Sequence, residues 1–471
     1  MSQEKSSSSS KVTGMLTLDE LRERVKKEEI NQVVASFPDT YGRLLGKRFD
    51  ADFFLESCVE DGTHCCNYLL SCDMDMDALP DYLNKSKEKL YSDFHLVPDM
   101  KSLRLVSWKE KTANVMCDIY DHHALEPFAP RTILRRQIDV ASSLSYKIFA
   151  ASELEYYTYE NSYRDARANN YQQSKLKTVG DYRADYHLLQ TAREEKYTSL
   201  FRQHLKSSGI PVENSKGEFG PNQHELNIKY SEIFTMADRH VIYKQCLKEI
   251  ADQLGIAVTF MAKPFTDISG SGCHLHISVT NSTDGSNAFV GDENISGTDM
   301  KCSSLFKHFL AGWMKYTPDM MVFYAPTINS YKRYMTASFA PTYITWGYDN
   351  RTTSFRVVGQ DKSLRIECRL PGADCNIYLA FAAALASGLQ GIKDKLPLPS
   401  MYTGNAYEAK DLPQIPKTLR DAVQLFENST FARQAFGDNV VNHYAEFYRN
   451  EQMVYDKFVT DWERSRYFEQ I

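Results

Sequence analysis

The chain has 471 residues, 42% of them hydrophobic and 25% charged, which is too long for one simple core and ordinary for a globular protein. A net charge of −6, no long Lys/Arg block and no basic aromatic-rich stretch leave no footprint for nucleic acid, and no apolar run reaches membrane-spanning length. The start "MSQEKSSSSSK" is neither a signal peptide nor an Arg-rich transit peptide, and the ten scattered cysteines form neither a disulfide framework nor paired CxxC motifs, so a cytoplasmic protein with reduced thiols is expected.

In chain order, residues 1–14 read as a disordered Ser-rich tail. "TLDELRERVKKEEI" predicts a helix in which Thr17 is the cap and Glu20 its capping-box partner. "NQVVASFPD" and "YGRLLGKRF" predict strands, residues 61–93 a long loop, and "TANVMCDIYD" a further strand. The Pro-containing "HALEPFAPR" marks a junction between a small α+β unit and a large one. Beyond it come the helix "TILRRQIDVASSL" and the strand "KIFAASELEYYTYE". Residues 181–209 read as largely helical, and "HVIYKQCLKEIADQLG" as an amphipathic helix ending at glycine. "NIYLAFAAALASGLQGI" predicts a buried helix, and near the end Val440, Tyr444, Phe447 and Tyr448 share one helical face. No internal repeat is present.

Three strands carry polar residues at every second position. "GSGCHLHISV" puts His274, His276 and Ser278 on one face and Cys273, Leu275, Ile277 and Val279 on the other. "SELEYY" does the same with Glu153 and Glu155, and "LRIECRLP" with Arg365, Glu367 and Arg369. Each pattern alone describes a solvated sheet face or a cross-strand ion-pair ladder. Three in one chain point instead to a site. Carboxylates with imidazole suit Mg²⁺ or Mn²⁺ over Zn²⁺, and arginines beside acids suit a metal-bound phosphate or carboxylate. Gly270 and Gly272 allow a ligand to approach the backbone, and no Walker A loop surrounds them.

These residues resemble the glutamine synthetase family. "KPFTDISGSGCHLHIS" looks like its ATP-region signature. "SELEYY", "KGEFGPNQHELNIKY", "NSYKRY", "DNRTTSFRV", "SLRIECRLPGADCNIYLAFAAALASGL" and "WERSRYFEQI" follow in the family's order, from about residue 17 to the end. The resemblance implies an α+β fold with a β-grasp-like N-terminal domain over 15–124. A catalytic domain over 125–471 would be built on a large, curved, mostly antiparallel sheet. It implies ATP-dependent amide formation through γ-glutamyl phosphate, with two to three Mg²⁺ or Mn²⁺ ions per site. It also implies a homo-oligomer of stacked rings with sites shared between neighbours.

By the same resemblance, Glu155, Glu218 and Glu225 hold one metal, and Glu153, His274 and Glu367 the second. The interval from Glu218 to Glu225 is one residue shorter than in typical bacterial members. Gly270, Arg333 and Arg369 bind glutamate, and Arg351 bridges substrate and phosphoryl group, so Arg351 and Arg369 are the catalytic candidates. Tyr230, His276, Ser278, Arg356 and Arg365 fall at nucleotide positions, with Tyr230 placed to stack on adenine.

Departures from the family redirect the reading. Ammonia-using members carry an acid six positions after the arginine matching Arg333, where this chain has Phe339 in "NSYKRYMTASFAPT". An uncharged, bulky side chain neither attracts nor deprotonates ammonium. Ser269 stands where ammonia-using members commonly have asparagine. The ammonium-binding aspartate of the neighbouring subunit has four candidates by type: Asp61, Asp73, Asp75 and Asp77. No match to the adenylylated tyrosine of some bacterial members lies near Tyr407. The expected activity is therefore a ligase joining the γ-carboxylate of glutamate to an organic amine. The alternatives are a true glutamine synthetase with another acid as base, and a non-catalytic structural member of the family.

Overall fold

The computed structural model of the protein describes residues 11–79, 92–180, 182–295, 298, 300–335 and 338–471. A first sheet holds β1 (Gln32–Pro38), β2 (Leu44–Asp50), β3 (Thr63–Cys66), β4 (Asp93–Leu105), β5 (Thr112–Asp121) and the short β6 (Ala124–Leu125). Its order is β2-β1-β5-β4-β3, with β6 on β5; β1 and β5 are parallel at the centre and the other pairs antiparallel. This is the expected β-grasp-like sheet. Helix Leu18–Lys26 starts at the predicted capping box: Glu20 N–H donates to Thr17 Oγ1 at 3.2 Å, and Thr17 N–H to Glu20 Oε2 at 2.7 Å. Its Leu21 and Val25 bury against Val33, Phe37, Phe54, Leu96 and Val115.

Two expectations change here. Residues 1–10 lie outside the described residues, but 11–14 are tied down: Gly209 N–H donates to the Thr13 carbonyl at 3.0 Å and Leu105 N–H to that of Gly14 at 2.8 Å. The predicted loop at 61–93 contains β3 and a 3₁₀ turn at Asn67–Ser71, while 80–91 lie outside the described residues. "THCC" pairs with β4 and stacks His64 on His95, contacts that no local pattern announces.

The second sheet is built on the long strand β7 (Tyr146–Tyr159). The other members are β8 (Val212–Gly217), β9 (Gln223–Ile228), β10 (Ser231–Glu232), β11 (Ala257–Thr259) and β12 (Cys273–Asn281). A small separate hairpin, β13 (Glu293–Asn294) and β14 (Lys301–Cys302), follows in the chain. The sheet resumes with β15 (Trp346–Tyr348), β16 (Phe355–Val358) and β17 (Arg365–Cys368). The order is β15-β16-β17-β12-β7-β9-β8, with β10 and β11 also on β7; only β15–β16 is parallel.

Helices Ile233–Gln253, Ser304–Tyr324 and Ile377–Lys393 supply residues to the core that also takes in this sheet's apolar side chains. The last is buried nearly all round, as its mostly apolar sequence predicts. It meets Ser304–Tyr324 at glycines: a Cβ on Gly312 would lie 2.4 Å from the Ser387 carbonyl oxygen, and one on Gly391 2.2 Å from that of His308. The helix Ser304–Tyr324 and the strand β4 have no counterpart among the predicted elements. Pro318 inside the helix, and Pro98 with the bulge between Asp99 and Arg104 inside the strand, obscure their periodicities.

Arg131 ties the first sheet to the helix Ile233–Gln253. It opens helix Pro130–Ser143 and is 2% exposed. Its guanidinium donates to Asp238 at 2.9 and 3.2 Å and to Asp99 of β4 at 3.0 Å, and it also pairs with Asp118 of β5. Tyr378 Oη–H completes the Asp238 shell at 2.6 Å. Removing one partner of a buried ion cluster leaves uncompensated charge. Arg131→Leu should cost about 3–5 kcal/mol of stability, read as a lowered urea midpoint.

Candidate active site

Antiparallel register brings the alternating polar residues together. Glu153 of β7 lies opposite His274 of β12, and Glu155 opposite Glu225 of β9. His276 lies opposite Glu367 of β17, which lies opposite Arg356 of β16. Because strand side chains alternate, these groups share one face, while Leu154, Leu275, Ile277, Ile366 and Cys368 enter the core on the reverse. The shared face is not a solvated ladder: Glu367 is 0%, Glu225 4% and His274 6% exposed. Acids this buried require positive partners.

Two sets of potential metal ligands result, each with donor atoms within 4.8 Å of one another; among the described residues these are the groups of this kind. Glu155, Glu218 and Glu225 form the first. Lys216 pairs with Glu218 and approaches Glu225 at 3.5 Å. Glu155 accepts from Gly272 N–H at 2.8 Å and Gln223 Nε2 at 3.0 Å. Burial and the neighbouring Glu218 charge push Glu155 up. Burial, with Glu153 nearby, pushes Glu225 up to about 8 despite Lys216. Glu218 is held low by Lys216 against its own burial.

Glu153, His274 and Glu367 form the second set. His274 Nδ1 lies 3.2 Å from Glu153 and 3.5 Å from Glu367, and His276 Nε2 lies 2.9 Å from Glu153. Burial opposes ionisation of Glu153, yet the hydrogen bonds from the two histidines hold it well below the usual carboxylate range. Glu367 is likewise held down to about 2 against burial, first by Arg369 and then by the histidines. Arg356 adds a 3.0 Å bond to Glu367. The first set lacks sufficient positive charge of its own. Three oxygen donors there, and two carboxylates with one imidazole in the second, fit hard divalent cations such as Mg²⁺ or Mn²⁺.

Along β12 the remaining predicted residues separate into two ends. At the Gly270 end lies Arg333, 3% exposed, donating to the carbonyls of Leu370 at 2.7 Å and Arg369 at 3.2 Å. A Cβ on Gly270 would lie 2.6 Å from the Ala262 carbonyl oxygen and 2.7 Å from Arg333, and one on Gly272 2.8 Å from the Arg333 guanidinium, so the close approach at these glycines is by protein groups. Phe339 is 52% exposed with φ +60° and sets its ring edge-on to Phe219 at 4.8 Å. At the other end, Arg365 donates to His276 Nδ1 at 3.1 Å, and Tyr230, 57% exposed, lies edge-on to Phe149, the residue in register with Ser278. The strand spacing sets Ser278 about 13–14 Å beyond His274.

Arg351, exposed on the turn between β15 and β16, makes no hydrogen bond to the cluster among the described residues. None of the candidate aspartates bonds to the cluster of its own chain: Asp73 accepts from the Asp75 and Asp77 N–H groups within its own turn. Lys216, Gln223 and Asp349, which pairs with Arg356, escaped the sequence analysis. For the first two a signal existed, because each sits two residues before a ligand, Glu218 or Glu225, along a strand or its extension. Asp349 sits on a turn, where no period points to it.

Residues 127–467 match the glutamine synthetase catalytic-domain family. The chain is 43% identical to γ-glutamylethanolamide synthetase GlnA4 of Streptomyces coelicolor, covering 98% of this chain and 97% of that relative. It is 36% identical to a glutamate–isopropylamine ligase of a Pseudomonas species, covering 96% and 98%. A solved GmaS–ADP complex superposes with a TM-score of 0.82 at 26% identity, covering 95% of this chain and 99% of that one. With its two-sheet fold and its acid–imidazole–guanidinium face, the chain belongs to the glutamine synthetase family.

Proposed function

We propose that the protein is an ATP-dependent glutamate–amine ligase. The observation that carries this reading is a largely buried face of six potential ligands beside an aromatic residue, Phe339, at the flap position. Likeness to the ethanolamide synthetase and the isopropylamine ligase supports it.

In this reading Arg333, Arg369 and the Gly270 backbone hold glutamate, with Arg351 reaching the transferring phosphoryl group. Tyr230, His276, Ser278, Arg356 and Arg365 hold the nucleotide. Bound at the two carboxylate sets, Mg²⁺ or Mn²⁺ supplies neutralisation of phosphate charge. The γ-phosphoryl group of ATP passes to a γ-carboxylate oxygen of glutamate and ADP departs. The amine nitrogen then attacks the acyl carbon, loses one proton, and expels phosphate. Arginines preorganised by Glu367 stabilise charge at the transferring group. The Phe339 ring shields the acyl phosphate from water.

Residues 15–124 form the N-terminal domain and 125–471 the catalytic one. The assembly is a stacked ring in the cytoplasm, in which an aspartate of the neighbouring N-terminal domain completes each amine site. Among the described residues no helix is long and apolar enough to cross a membrane.

With Mg²⁺, ATP and glutamate, a panel of organic amines should give γ-glutamylamides by mass spectrometry; turnover with ammonium alone would select a true glutamine synthetase instead. Millimolar Mn²⁺ should raise the melting temperature, about 2.7 kcal/mol of stabilisation at a hundredfold excess over Kd. Glu367→Gln should lose most of that shift, and phosphate release should fall at least about 100-fold, since a charged ligand and the anchor of two arginines go together. Phe339→Glu should raise the ratio of kcat/KM for ammonium over organic amine by about tenfold or more, because it restores a carboxylate at the flap.

A further inference from the structure

The first sheet gathers metal-competent side chains of its own. Its edge strand β3 pairs with β4 so that His64 faces His95 and Cys66 faces Asp93. Asn67 N–H donates to the Ser92 carbonyl at 3.1 Å, which makes 67 and 92 a hydrogen-bonded pair. By alternation, Cys66–Asp93 and His64–His95 are the non-hydrogen-bonded pairs, whose Cα atoms approach to about 4.5 Å. Two apart on each strand, all four side chains leave one face of the sheet. Cys65, Phe94 and Leu96 pack into the core on the other. His64, Cys66 and Asp93 are exposed, and His95 is half-buried.

The His95 ring is seated as a metal-bound imidazole commonly is. Its Nε2 lies 2.7 Å from the Asp61 carbonyl oxygen. A carbonyl only accepts, so Nε2 carries the hydrogen and the neutral ring keeps its lone pair on Nδ1. Gly62 makes room for this seat: its φ is +66°, and a Cβ there would lie 2.5 Å from His95 Nε2. The His64 ring stacks on that of His95, with centroids 5.0 Å apart. Diagonal neighbours across two such pairs stand about 7–8 Å apart. A point above their middle is therefore about 4 Å from each Cβ, a span that imidazole, thiolate and carboxylate cover with metal bonds of about 2.0–2.3 Å. No three of the donor atoms yet lie within 4.8 Å of one another, and the exposed His64, Cys66 and Asp93 gather round His95 by turning about their own side-chain bonds. Two nitrogens, one sulfur and one oxygen favour Zn²⁺, whereas the carboxylate-rich catalytic face favours Mg²⁺ or Mn²⁺. We propose that His64, Cys66, Asp93 and His95 form a Zn²⁺ site that clips the edge strand β3 to β4. The Cys66 thiol gives up its proton as the ion binds. This inference is independent of the ligase reading.

Co²⁺ in place of Zn²⁺ tests it, because cobalt bound to a thiolate gives a charge-transfer band in the near ultraviolet. The catalytic face offers cobalt no sulfur, since Cys273 and Cys368 are buried on its reverse. With the full-length protein in excess Mg²⁺, Co²⁺ should produce the band and excess Zn²⁺ should abolish it. Cys66→Ser should remove the band, and Cys65→Ser, altered on the opposite face, should keep it. His64→Gln, His95→Gln and Asp93→Asn should each weaken Co²⁺ binding at least about tenfold, since even the partners behind a ligand are worth that much. No band in the unaltered protein, a band that Zn²⁺ leaves in place, one that survives Cys66→Ser or one lost in Cys65→Ser overturns the proposal. Unchanged affinity in any of the His64, His95 or Asp93 variants overturns it as well.

Discussion

Glu155, Glu218 and Glu225 crowd three carboxylates onto a largely buried patch, and Lys216 is the lysine that pairs with two of them. Charge at that density is costly in a low-dielectric setting, and the upward displacement of Glu155 and Glu225 expresses the cost. The neighbouring set is organised in the opposite sense. Glu153 and Glu367 are surrounded by His274, His276, Arg356 and Arg369 and stay ionised. One half of the face thus attracts cations, and the other holds an anion ready among guanidinium groups.

A face of this kind needs a rigid backing. The reverse sides of β7, β12 and β17 are apolar and enter a core shared with the helices at 233–253, 304–324 and 377–393. Close glycine contacts between the last two helices remove slack from that layer. Strand pairing then fixes the acids and imidazoles by register, which is more exact than loop placement. The Arg131 cluster extends the same rigidity to the N-terminal sheet through Asp99 and Asp118. The two places use mirror-image arrangements: a buried arginine, Arg131, among three carboxylates, and a buried carboxylate, Glu367, between two arginines.

The two ends of β12 differ in character. Toward Ser278 the surroundings are Tyr230, Arg365 and His276, an aromatic and cationic setting suited to a nucleotide. Toward Gly270 they are Arg333, Phe219 and Phe339, a guanidinium group beside an apolar wall. At that second end Phe339, exposed and edge-on to Phe219, stands at the position where the resemblance leads one to expect an acid in an ammonia-using enzyme.

The sequence by itself determined which residues share a face. Alternation in "SELEYY", "CHLHIS" and "RIECR" is a local property of extended backbone, and the capping box at Thr17 and the mostly apolar helix at 377–393 are equally local. Ordered motifs also made the family legible by resemblance, and with it the two groups of acids and imidazole that the structure brings together. Other features were hidden because their causes are not local. The strand β3 and the order at residues 11–14 depend on partners far along the chain, and the helix at 304–324 is masked by Pro318. Only the tertiary structure decided that Glu155 faces Glu225, that Lys216 and Gln223 serve the carboxylates, and that Phe219 meets Phe339 beneath Arg183. The physical reason is that periodicity assigns a side chain to a face, whereas its neighbour across that face is set by strand register and chain crossings spanning tens to hundreds of residues.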